Sequence, residues 1–173
     1  DLGEQLDSET LREVMNRYFA AMRTELELHG GIIEKFIGDA IMAVFGLPVV
    51  HEDDALRAVR AALGMKAALE RLNDELWTAY GVWLANRTGI NTGEVIAGDP
   101  TGGQRLVTGD PVNTAARLEQ AAPVDEILLG ELTERLVRGA VETVAVEPLE
   151  LKGKAERVPA FRVVGLRAER AMD

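Results

Sequence analysis

Residues 30–46 read GGIIEKFIGDAIMAVFG, two apolar runs that meet at Gly38-Asp39. Ile32, Ile33, Phe36 and Ile37 lead in and Ala40 to Phe45 lead out, so the pattern predicts a tight β-hairpin with Gly38-Asp39 at its tip. A hairpin puts its tip at the end of a sheet, and a carboxylate held there by two strands is placed to bind a hard cation such as Mg²⁺ through oxygen. Gly-Asp is equally an ordinary turn dipeptide, and the stretch alone leaves that reading open. Lys35 stands out more, because it lies amid branched and aromatic neighbours. An ammonium withdrawn from water there needs a partner.

Working outward, the composition bounds what the chain can be. With 173 residues and 47% hydrophobic content, one substantial core and a single globular domain are expected. The chain has no cysteine, which excludes disulfides and thiolate metal sites, and its two histidines, His29 and His51, are too isolated for a zinc centre. A net charge of −10 argues against nucleic acid or an anionic membrane as the main partner. The longest apolar run, Ala40 to Val50, is too short to span a bilayer, and no secretory signal opens the sequence, so a cytoplasmic location is expected.

Upstream of the hairpin, Leu11, Val14, Met15, Tyr18, Met22 and Leu26 recur at helical spacing and predict a helix over 8–28, with Ser8 as its N-cap and Gly30-Gly31 ending it. A second helix is expected from near Glu52 to before Gly81, with acids in its first turn and an apolar face that includes Val59, Leu69, Leu72 and Leu76. VWLANRTGINTGEVIAGD, residues 82–99, reads as two strands joined at Asn91-Thr92-Gly93, with Arg87 in the first, followed by a short strand over 105–107. Pro111 suits the first turn of a helix continuing over 112–120. Asn113 and Arg117 are then four residues apart on one face, an amide and a guanidinium side by side. Such a pair clamps a phosphate well, and a surface Asn beside an ion-paired Arg is the plainer alternative. A strand over 127–129, a helix over 131–137, strands near 141–146 and 161–164, and a basic Lys152-Gly153-Lys154 loop complete the pattern. No repeat or low-complexity segment is visible, and residues 167–173 read as a charged tail or linker.

EKFIGDAIMAVFG, NRTGINTGEVIAGD, TGDPVNTAARLEQAA and LELKGKAERVPAFRV, in this order and at these spacings, resemble the catalytic domain of the class III adenylyl/guanylyl cyclases. The resemblance covers nearly the whole chain and is strongest to actinobacterial cyclase domains of larger multidomain regulators. It implies an α+β, ferredoxin-like domain over residues 1–166, with a central, mainly antiparallel sheet and flanking helices, working as a head-to-tail homodimer. By position, Asp39 matches one of two aspartates that hold a pair of Mg²⁺ or Mn²⁺ ions. Lys35 matches the base-selecting lysine of adenylyl cyclases, and Asn113 and Arg117 match the pair that orients the ribose and stabilises the transition state. Arg87 and Lys152 match residues that hold the terminal phosphates. The implied reaction is attack of the ribose 3′-hydroxyl of ATP on its α-phosphate, giving 3′,5′-cyclic AMP and pyrophosphate.

The pattern departs from the family at two points. The strand that carries the other metal aspartate is expected upstream of Asp1, and without it metal binding should be poor. Leu106 stands where adenylyl cyclases usually place an aspartate or threonine that accepts a hydrogen bond from the adenine amino group, and leucine accepts none, which should loosen base selectivity. A non-catalytic cyclase-homology module that dimerises to regulate attached domains, and a guanylyl cyclase, are the alternatives.

Overall fold

A helix start leaves N–H groups without intrahelical acceptors, and a short acidic side chain can supply one. In the computed structural model of the chain, which describes residues 7–97, 107–150 and 155–167, that side chain is Asp7, one residue before the expected Ser8. Its carboxylate accepts the Thr10 N–H at 2.7 Å, and the hydrogen bonds from Thr10 hold the Asp7 carboxyl below its ordinary pKa. Helix α1 then runs Ser8–Leu28 and buries Val14, Tyr18, Met22 and Leu26, one per turn, on a single face.

That face meets α2, Asp54–Tyr80, through Leu69, Leu72 and Leu76, and the exposed Arg17–Glu75 ion pair spans the two helices. Gly81 closes α2 in the left-handed region, at φ 68°, where a side chain would be strained. Against α1 lies the predicted hairpin, β1 (Ile32–Ile37) paired antiparallel with β2 (Ala40–Val44), with Gly38 at φ +61° in the turn. Phe36 meets Phe19 of α1 edge to face at 4.9 Å between ring centroids, and the Arg23 guanidinium lies 5.7 Å from the Phe36 ring centre.

The second body is a four-stranded sheet of β3 (Thr88–Ile90), β6 (Ile127–Gly130), β7 (Val141–Ala145) and β8 (Ala160–Leu166), in the order β3-β6-β8-β7. Only β3 and β6 are parallel. A strand covered on both faces reads as an unbroken apolar run, and β6 is such a strand. Ile127 and Leu129 pack with Val59 and Ala62 of α2, whereas Leu128 packs with Leu118 and Ala122 on the other side. Leu118 belongs to α3, Asp110–Ala121, with Pro111 in its first turn, and α4, Glu131–Val137, follows β6 directly. A short antiparallel pair, β4 (Ile96–Ala97) with β5 (Val107–Thr108), precedes α3. The fold is α+β with a mainly antiparallel sheet and flanking helices, as expected. No helix among the described residues is long and apolar enough to cross a membrane.

Residues 82–97 differ from expectation. The two strands do not pair with each other: β3 pairs with β6 and β4 pairs with β5, and residues 82–87, Arg87 included, form no strand. Two side chains account for this. The buried Asn73 of α2 accepts the Leu84 N–H at 2.8 Å and donates to the Leu84 carbonyl at 2.9 Å, so that backbone is already satisfied. Asn91 donates to the Pro111 carbonyl at 3.1 Å, turning the chain toward the start of α3 instead of back along β3.

Candidate active site

The candidate residues fall on two elements. Lys35 and Asp39 lie on the hairpin, and Asn113 and Arg117 lie on α3. Leu106 and Lys152 are outside the described residues.

On the hairpin the register slips. Ile33 pairs with Ala43 but Lys35 pairs with Met42, so Glu34 is an extra residue in β1. A β-bulge of this kind re-aims side chains. Its effect is to bury the acid and leave the base in water: the Glu34 side chain is 1% exposed and that of Lys35 43%. The expectation that Lys35 is the withdrawn charge is therefore corrected, although its need for a partner is met. The Lys35 ammonium lies 3.4 Å from Glu34 Oε1, at ion-pair distance but off hydrogen-bond alignment, so that Oε1 accepts no hydrogen bond. Glu34 Oε2 accepts the Val107 N–H of β5 at a long 3.4 Å, which ties the hairpin to the β4–β5 pair.

Asp39 is exposed at the turn, and among the described residues its carboxylate makes no hydrogen bond or ion pair. Its charge is nonetheless felt inside. Burial pushes the Tyr18 hydroxyl above its ordinary pKa of 10.0, a hydrogen bond from Asn86 opposes this, and the negative charges of Asp39 and Glu119 add to the rise.

Helix α3 presents its pair as the spacing predicted. Thr114 and Leu118 point into the core, while Asn113 is exposed and Arg117 half-buried on the neighbouring face. Neither side chain is committed to a partner among the described residues. The helix seats against β3 because residue 89 is glycine: a β-carbon there would run into the α3 backbone at Ala115, Leu118 and Glu119. Arg87 lies elsewhere. It donates to the Gln120 carbonyl at 3.3 Å and stands 4.0 Å from the Glu119 carboxylate, at the C-terminal end of α3. From Asn113 to Gln120 is about 10 Å along the helix axis.

Among the described residues no three His, Cys, Asp or Glu side chains cluster as a metal site. Asp39 by itself is a hard oxygen donor with no competing partner among the described residues, which suits a Mg²⁺ or Mn²⁺ ion held by one or two carboxylates and the phosphates of a substrate. Sequence reasoning passed over Glu34. A signal was present, since at period two Glu34 falls in line with Ile32 and Phe36, an acid on an apolar face.

The pattern of the adenylate and guanylate cyclase catalytic domain matches residues 1–164. The chain belongs to that family, the class III cyclase catalytic domains, and has their ferredoxin-like fold. Among curated proteins it is 33% identical to an uncharacterised protein of Mycobacterium tuberculosis, over 92% of this chain and 30% of that protein. The chain spans less than a third of the length of the curated relatives it matches. Among solved structures, the adenylyl cyclase CyaB from P. aeruginosa superposes with a TM-score of 0.87 at 31% identity, covering 98% of this chain and 88% of that one. The guanylyl cyclase Cya2 superposes equally well, with a TM-score of 0.87 at 32% identity, covering 94% and 84%.

Proposed function

We propose that this chain is the catalytic domain of an adenylyl cyclase, converting ATP to 3′,5′-cyclic AMP and pyrophosphate. The observation that carries this reading is Lys35, an exposed ammonium on the hairpin beside the buried Glu34. An ammonium only donates hydrogen bonds, and adenine offers a ring-nitrogen acceptor where guanine offers an N–H donor. The likeness to Cya2 keeps a guanylyl cyclase as the second reading, and competition between ATP and GTP decides between them. The third possibility, a non-catalytic regulatory module, fails if turnover exists and disappears in Arg117→Ala.

In this reading the Lys35 ammonium orients the base and the Asn113 amide holds the ribose. The Arg117 guanidinium donates to the α-phosphate as negative charge builds on its oxygens during in-line attack by the 3′-hydroxyl, and Arg87 and Lys152 hold the terminal phosphates. Asp39 would hold divalent cations. Bound Mg²⁺ or Mn²⁺ supplies acidity to the 3′-hydroxyl and neutralises triphosphate charge. The work of the chain's own residues is positioning and charge stabilisation, which fits a site without a His or Cys nucleophile.

The site is shared across a head-to-tail homodimer, with Asp39 from one copy and Lys35, Asn113 and Arg117 from the other. Ile37 on the hairpin is 57% exposed and Ile96 on β4 is 72% exposed, apolar surface for a second copy to cover. Specific activity should rise with protein concentration, and Asp39→Ala mixed with Arg117→Ala should regain part of the activity each lacks. A fully active monomer by light scattering overturns the shared site. The domain acts in the cytoplasm, attached to further domains in a longer signalling protein.

A further inference from the structure

Among the described residues, Glu34 is a buried charge beside Lys35 whose chemistry the proposed reaction leaves unused. Its carboxylate is buried to 1% exposure, sits at a bulge that adds a residue to β1, and leaves Oε1 without a hydrogen bond. A desolvated carboxylate must find compensating charge or hydrogen bonds. Here it has one of each, on two different elements: the Lys35 ammonium at 3.4 Å from Oε1 and the Val107 N–H at 3.4 Å from Oε2.

We propose that Glu34 is a positioning residue for base selection, acting through Lys35. The inference rests on the adenylyl cyclase reading and deepens it. Lysine carries its charge on a flexible four-carbon stem, so a free Lys35 would lose much rotamer freedom on meeting a base. The fixed anion of Glu34 restrains the ammonium beforehand by charge alone and leaves its protons to donate outward. Through Oε2 the same carboxylate couples the hairpin to Val107, the chain neighbour of Leu106, the position where the family usually places the acceptor for the adenine amino group. A single buried acid thus contacts Lys35 and reaches Val107 on β5. With leucine at position 106, discrimination falls on Lys35, and its orientation matters more.

Glu34→Gln keeps the shape and an oxygen able to accept from Val107, but removes the charge that restrains Lys35. KM, kcat and dissociation constants for ATP and GTP are measured in the wild type, Glu34→Gln, Lys35→Ala and the double variant. Glu34→Gln is expected to lower the ATP-to-GTP preference about tenfold, mainly through KM for ATP, with kcat within about twofold, as for loss of uniform binding. The double variant should discriminate no worse than Lys35→Ala alone. A role confined to holding the fold would lower kcat and thermal stability together and leave the preference unmoved. If the wild type prefers ATP and Glu34→Gln keeps that preference within twofold, the inference is overturned and the adenylyl reading stands. A wild-type preference for GTP that Glu34→Gln abolishes overturns the adenylyl reading and leaves the positioning role standing. A wild type that binds neither nucleotide, or both equally, overturns both. Should Glu34→Gln fail to fold, Glu34→Asp, which withdraws the charge by one methylene, is read by the same outcomes.

Discussion

The hairpin and α3 carry the two halves of the candidate site, yet they are attached to the molecule in opposite ways. Helix α3 lies directly on the sheet, with Leu118 fully buried and the backbone so close to β3 that only glycine fits at position 89. The hairpin is a separate two-stranded sheet, joined to the rest through the Phe36 contacts with Phe19 and Arg23 of α1, Ile41 against the α1–α2 core and one buried carboxylate. Two-stranded ribbons are marginal alone. Changes beneath α3 should therefore act through stability, whereas changes on the hairpin should act on function while most of the fold survives.

The harshest way to test this contrast is Gly89→Val, which drives a β-carbon into the α3 backbone. A loss of about 4 kcal/mol or more is expected, the range reserved for severe overpacking or strain, visible as loss of cooperative thermal unfolding. A stable, cooperatively folded Gly89→Val protein would break the comparison. Next come Asp39→Ala and Arg117→Ala, each expected to lower cyclic AMP formation about 10²- to 10³-fold, as when one transition-state donor is removed. Because neither side chain is committed to a partner among the described residues, their unfolding midpoints should stay within about 2 °C of wild type. A collapse of stability in either would show that the pair is structural.

A smaller loss is expected from Asn73→Ala, which strands the N–H and carbonyl of Leu84. Leaving buried backbone groups unpaired costs about 1–3 kcal/mol, measured by denaturant titration, and only a neutral result would sink the account of why residues 82–87 do not form a strand. Phe36→Ala should cost about 1 kcal/mol through its lost contact with Phe19, a sharp test of how lightly the hairpin is held. The smallest effect is at alkaline pH. The folded protein holds Tyr18 neutral with its pKa raised above 10.0, so the stability this contributes is complete below pH 10 and falls as pH rises through the folded value. Tyr18→Phe should flatten that decline in a urea-unfolding series across alkaline pH.

Much of this was legible in the chain. The helical spacing of Val14, Tyr18, Met22 and Leu26 marked the buried face of α1, and the Gly38-Asp39 turn between apolar runs marked the hairpin. The i, i+4 relation of Asn113 and Arg117 needed only a helix, which Pro111 and the composition announced. The family too was readable from four ordered motifs. Two features escaped. Residues 82–97 carry strand-like composition, but Asn73 from a distant helix satisfies the Leu84 backbone first. Glu34 reads as one half of an ordinary acid–base dipeptide until the register of β1 against β2 is known.

Local order in the chain was sufficient to determine the helices, the hairpin turn and which side chains share a face, because those follow from periods of two and 3.6 residues along a single segment. Which charge is buried was decided only in three dimensions. The period-two pattern hints at an acid on an apolar face, but the bulge that turns Glu34 inward and Lys35 outward exists in the pairing of two strands, and the N–H that donates to the carboxylate comes from a residue 73 positions away, which neighbours along the chain do not contain.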